Sequence, residues 1–352
     1  MTIYRHQRNY GCRIHDQYTY LGMRVLVLEN EKVRISLLPD KGTEIFEFLY
    51  KPVDLDFMWL TENGVHNPNS YLPTSPDPIS TFIDYYAGGW QEVFPNGGST
   101  SSYLGARFGQ HGEVAHMPWD VEVLEDSADR IRVLFRVRTK KVPFELRKTL
   151  TLQSDSSTLR IEEELENLSD LPLRFMWGHH IAFGKPFLEP GCRINLPEGL
   201  TVLTEERSLQ AINLGRVRRG DVHEWPVAAD EQGAAVDLSI LPARDARSDI
   251  VYVTGFEKSR AWYEVENGRR GMGIRVEWDA SRLPYLWYWQ EFGETKTYPW
   301  YGRHYNVGLE PFSGYPTHGI EKALENESAG SIGPSQTISS WLTAAPYPLN
   351  EK

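Results

Sequence analysis

Apolar and polar residues alternate with a period of two over much of this chain. In IRVLFRVR, residues 131–138, Ile131, Val133, Phe135 and Val137 alternate with Arg132, Arg136 and Arg138, with Leu134 as the one exception. An extended segment of this kind has one apolar and one solvated face, which predicts a half-buried strand. Phe144, Leu146, Leu150 and Leu152 repeat the pattern, as do Leu159, Ile161 and Leu165, and short polar stretches separate the three runs. Together they predict an antiparallel meander. Further strands are predicted over 24–28, 33–38, 44–49, 173–177, 250–255, 273–278, 285–290 and 338–342. The clearest helix signal, at 319–325 with Thr317 as N-cap, would make only about two turns. The expectation is a large all-β protein of packed sheets with short strands, long loops and few short helices.

The stretch 63–102 departs from the alternation, being rich in Pro, Gly, Asn, Ser and Tyr. Its aromatic content, with Phe82, Tyr85, Tyr86, Trp90 and Phe94, predicts an ordered loop forming one wall of a pocket. No fixed-period repeat and no sharp compositional shift divides the chain, so a single domain over 1–352 is expected, with a less regular insertion around 211–246.

Composition narrows the function. The chain of 352 residues carries a formal net charge of −11 and has no Lys/Arg-rich tract, which disfavours nucleic acid and anionic membrane as partners. No apolar run is long enough to span a bilayer, and the N-terminus lacks the apolar core of a secretory signal, so a cytoplasmic location is expected. Only Cys12 and Cys192 are present, too few for a disulfide framework or a CxxC metal site. The 11 Trp, 18 Tyr and 14 Phe suit the faces and edges of sugars, though they suit a large β-core as well.

Three stations hold residues able to move protons. The first is GARFGQHGEVAHMPWDV, with Arg107, His111, Glu113 and His116 ahead of a strand near Trp119. The second is MWGHHIAFG, where strand geometry sends the adjacent His179 and His180 to opposite faces. The third is YNVGLEPFSG, where Pro311 suggests that Glu310 sits at a strand end next to a turn. Taken singly, each has a plain structural reading: surface histidines, a core histidine and a paired surface glutamate. No HExxH, GxSxG, P-loop or strand-associated GxGxxG motif is present, so neither a metal nor a nucleotide cofactor is expected.

In order and separation these stations resemble the aldose 1-epimerase, or galactose mutarotase-like, family. The resemblance rests on LLPDKGTEIFEFLY, Gln110-His111-Gly112-Glu113 with Pro118-Trp119, His180-Ile181-Ala182-Phe183 and Gly308-Leu309-Glu310-Pro311, and runs from about residue 25 to 343. It implies a β-supersandwich of two or more large antiparallel sheets and interconversion of the anomers of a free sugar without a cofactor. By resemblance His180 is the general acid and Glu310 the general base, and an imidazole with an ordinary pKa of about 6.5 suits repeated proton transfer. His111 resembles a histidine that binds sugar hydroxyls, and Arg107 is a candidate for a substrate-binding arginine. Trp289, with Trp300 or Tyr301, is placed by neighbourhood as a stacking platform, and Gln290 as a hydroxyl ligand.

The chain also departs from the galactose-type pattern, with His179 in place of Asn before His180 and Ile181-Ala182-Phe183-Gly184 after it. Galactose specificity is therefore not implied. The expected ligand is a monosaccharide or small oligosaccharide. A carbohydrate-binding protein without turnover, or a lyase or hydrolase acting on a glycosidic bond, is the alternative on the same fold.

Overall fold

The computed structural model describes residues 8–70, 80–207 and 215–351. Part of the aromatic segment, 71–79, and the start of the predicted insertion, 211–214, lie outside the described residues.

Among the described residues, fourteen strands form one sheet and eight form a second. The predicted meander is the heart of the smaller sheet. Arg130–Arg138 pairs antiparallel with Phe144–Gln153, which pairs in turn with Leu159–Asn167, and Thr337–Pro348 continues the sheet beyond it. Ile131, Val133, Phe135, Leu150, Leu152, Leu159 and Ile161 are buried in one contiguous apolar cluster. That cluster also takes in Val33, Ile35, Leu37, Ile181, Phe183, Val307 and Leu309 from the larger sheet. The two sheets therefore pack face to face through the residues that alternation marks as apolar.

The centre of the larger sheet is assembled from segments far apart in sequence. The strand Glu44–Tyr50 neighbours Trp90–Val93, then Gly178–Phe183, Asn306–Phe312, Tyr285–Glu291 and Asp249–Thr254. Trp90–Val93 lies inside the stretch that sequence marks as irregular. All four of its residues are buried, so no alternation betrays it, and Gly89 and Pro95 close it off on either side.

Two local expectations are corrected. Glu310 is not at a strand end, because Asn306–Phe312 runs unbroken through Pro311. Pro311 is tolerated because the ladder to Gly178–Phe183 opens there: Gly178 pairs with Phe312 and Ala182 with Gly308, but no pair forms between them. The short helix is Ile320–Glu325 with Gly319, not Thr317, at its N-cap position. Its first N–H groups are met from another segment, Ile320 N donating to Asn96 Oδ1 and Glu321 N to Ser101 Oγ. No helix among the described residues is long and apolar enough to cross a membrane.

Candidate functional site

The site lies on the face of the larger sheet turned away from the smaller one. His180 stands midway between the pairs Gly178↔Phe312 and Ala182↔Gly308, which sets it across from Glu310 at the gap in the ladder. Its Nε2 is 3.5 Å from Glu310 Oε1, and both side chains are buried. Glycines make the room. A Cβ on Gly308 would lie 2.2 Å from Glu310 Oε1, and one on Gly178 would run into the Phe312 ring at 2.5 Å. Phe312 in turn stacks on Trp287 with ring centroids 3.8 Å apart.

His111 approaches from the loop within the first station, after the strand Ala106–Phe108, its ring centroid 5.2 Å from that of His180. Its Nδ1 accepts the N–H of Gly98 at 3.2 Å, which leaves the proton of the neutral ring on Nε2, free to be donated. Tyr86 holds the other side of His180, with its hydroxyl 3.3 Å from Nδ1. Trp289 lies 5.9 Å from His180 between ring centroids and joins Trp59 and Trp300 in an aromatic wall, Trp300 standing 5.4 Å from Trp289. Phe82, at 4.5 Å from His111, and His304, at 5.2 Å from Trp59, complete the surround.

Burial dominates the electrostatics. It pushes His180 down to about 3 and raises Glu310 well above the usual carboxyl range. His111 is likewise held well below an ordinary histidine, by burial first and by the neighbouring His180 and His116 next. Both shifts disfavour charge, so burial favours a neutral imidazole beside a protonated carboxyl.

Of the residues proposed from sequence, His180, Glu310, His111, Trp289 and Trp300 come together, whereas Arg107, Gln290 and Tyr301 do not. Arg107 is exposed on the hairpin strand Ala106–Phe108, where its carbonyl accepts the Lys141 ammonium. Gln290 follows Trp289 in an extended strand and so faces the opposite side of the sheet, where Arg216 donates to its Oε1. Tyr301 is exposed, whereas Trp300 belongs to the wall. Sequence reading missed Trp59 and His304 as parts of the site. Phe82 and Tyr86, from the aromatic segment expected to wall a pocket, stand beside His111 and His180.

His179 faces the interior between the sheets, as alternation requires. Its Nε2 is 3.1 Å from Glu163 Oε2, and Trp90 Nε1 donates to its Nδ1 at 3.2 Å. Glu92 accepts from Trp177 Nε1 at 2.5 Å and from Lys148 Nζ at 3.1 Å. Glu163 is raised to about 7 by burial and then by the charge of Glu92, and His179 is raised, against burial, by the charges of Glu163 and Glu92. Glu92, Glu163 and His179 bring three potential ligand atoms within 4.8 Å of one another. The Lys148 ammonium already supplies the cation that a metal would bring to this group, and the two indoles occupy further lone pairs.

The profile of a family described as a domain of unknown function, DUF4432, matches residues 21–343. The chain belongs to this DUF4432 family. No functionally curated protein matches it by sequence. Among solved structures, this DUF4432 chain resembles a candidate aldose 1-epimerase from Klebsiella pneumoniae with a TM-score of 0.73 and 17% identity, over 97% of this chain and 84% of the other. It also resembles a galactose mutarotase-like protein from Clostridium acetobutylicum, with a TM-score of 0.62 and 14% identity over 96% and 99% of the two chains. A candidate mutarotase from Salmonella typhimurium matches with a TM-score of 0.59 and 12% identity over 96% and 97%. At these identities the likeness is one of fold. The DUF4432 chain has the galactose mutarotase-like β-supersandwich.

Proposed function

We propose that this protein is an aldose 1-epimerase-like enzyme that interconverts the α and β anomers of a free sugar. The observation that carries the reading is the His180–Glu310 pair, both side chains buried and His180 Nε2 3.5 Å from Glu310 Oε1. Opening a pyranose ring needs one proton delivered to the ring oxygen and one removed from the anomeric hydroxyl. Both oxygens hang on the same carbon, so acid and base must stand next to each other rather than across the ring.

From the resting state Glu310 protonates the ring oxygen while neutral His180 takes the proton of the anomeric hydroxyl, and the ring bond breaks to give the open aldehyde. Rotation about the C1–C2 bond presents the other face of the carbonyl. Closure then runs the transfers backwards, with imidazolium as acid and carboxylate as base. The acid of ring opening is thus Glu310 and the base His180, the reverse of the roles implied by family resemblance. His111 Nε2–H supports a sugar hydroxyl, and Trp289 with Trp59 and Trp300 supplies apolar faces for the ring. The fold shared with candidate epimerases and mutarotases agrees with this reading.

Saturation-transfer NMR over a panel of free aldoses tests it. His180→Asn and Glu310→Gln are each expected to lower the rate by about 10²- to 10⁴-fold with the fold retained. Full activity in both variants refutes the mechanism. Release of a reducing end or an unsaturated product from an oligosaccharide would instead favour glycosidic-bond chemistry.

A further inference from the structure

A second set of polar groups lies along the same row of the sheet as His180. Gln91 pairs directly with His180, and the single pair between the next two strands, Ile45↔Trp90, sets Glu44 beside Gln91. Residues directly opposite in antiparallel strands project to the same face, so Glu44, Gln91, His180 and Glu310 form one line, with strands about 4.8 Å apart. Glu44 is close enough to Tyr86, the hydroxyl partner of His180, for its charge to be felt there.

These groups are buried and only half satisfied. Lys41 is 0% exposed and its Nζ lies 2.6 Å from Glu44 Oε2, while Glu44 Oε1 accepts nothing among the described residues. Gln91 uses its Nε2 on the carbonyl of Gly88, and its own Oε1 has no donor among the described residues. A buried acceptor without a donor is costly, and here two stand side by side in one row of the sheet. Neither belongs to the proton-transfer pair.

We propose that Glu44 and Gln91, backed by Lys41, form a second hydroxyl-binding station that takes the part of an uncharged sugar or polyol remote from the reacting carbon. The sign of the chemistry selects the class. Two acceptors call for donors, which hydroxyl groups supply and a phosphate, sulfate or carboxylate does not. An anion would also meet the Glu44 carboxylate, since the Lys41 charge is already answered by Glu44. The assignment rests on the proposed function for its site but not on turnover, because binding alone reads it.

The test is equilibrium binding, followed by tryptophan fluorescence and calorimetry, of D-glucose, D-galactose, L-rhamnose and D-xylose beside glucose 6-phosphate and galacturonate. Wild type is expected to bind a neutral member more tightly than the charged ones. Glu44→Gln and Gln91→Met are each expected to weaken that sugar by about tenfold or more, whereas Val123→Thr on a distant exposed strand leaves it unchanged. If loss of the Lys41 partner prevents folding of Glu44→Gln, the double variant Lys41→Met/Glu44→Leu removes both charges and must show the same loss. Unchanged affinity in the folded variants, or preference for an anionic sugar, overturns the station. Neutral-sugar binding that depends on Glu44 without any anomerisation would refute the proposed function and leave this inference standing.

Discussion

A Cβ atom on Gly308 would lie 2.2 Å from Oε1 of Glu310, two residues along the same strand and on the same face. The glycine of the GLEP segment is thus a space reserved for a carboxylate, with the Trp289 ring 3.2 Å away on its other side. The pair yields a prediction that separates position from chemistry.

Gly308→Ala keeps every ionisable group and displaces the Glu310 carboxylate. We expect anomerisation to fall by about 10- to 100-fold, with a loss of stability of about 1–3 kcal/mol from overpacking. Rates and urea midpoints measured on the same preparations check this, and an unchanged rate would mean that Glu310 is not held by that contact.

The pH–rate profile follows from the His180–Glu310 pair. His180 is held down to about 3 and Glu310 is raised well above its usual range, both by burial, so the productive state persists across neutrality. For the free enzyme kcat/KM is expected to be flat from about pH 5 upward until Glu310, raised above the usual carboxyl range, loses its proton. A limb centred near the ordinary histidine value of about 6.5 would contradict the assignment.

The same shift makes His180 an acid-sensitive element of stability. Above about pH 6.5 neither the folded nor the unfolded chain protonates it, and no penalty exists. As pH falls below that value the unfolded chain binds a proton that the folded chain refuses until about 3, so stability drops through that window. At pH 5 the loss is about 2 kcal/mol. His180→Gln removes it, so between pH 7 and pH 5 denaturant unfolding should lose about 2 kcal/mol less in the variant than in wild type.

The ion cluster behind the site should be structural rather than chemical. Lys148 pairs in register with Glu163 and bonds Glu92 in the interior between the sheets. Lys148→Met strands the Glu92 charge and is expected to cost about 3–5 kcal/mol, whereas Lys148→Met/Glu92→Leu should recover much of that. A double-mutant cycle by denaturation measures the coupling. Additive losses would show that the two groups do not depend on each other.

Local pattern alone determined a good deal about this protein. Alternation located the meander strands and their buried faces, because side-chain parity in an extended chain needs no tertiary information. The same parity separated His179 from His180 and should have separated Gln290 from Trp289, where proximity in sequence misled. Parity says that two neighbours part but not which one meets the other sheet and which meets the pocket. That choice, and the meeting of Glu44, Gln91, His180 and Glu310 in one row, came only from a strand order joining segments distant along the chain. Lys148 and Glu163 hold core-facing positions in otherwise apolar runs, and only the sheet packed against them supplies the partners that make those charges tolerable. Pairing across a sheet is settled by burial and register over the whole assembly, so nothing local to a four-residue strand such as Trp90–Val93 encodes its neighbours.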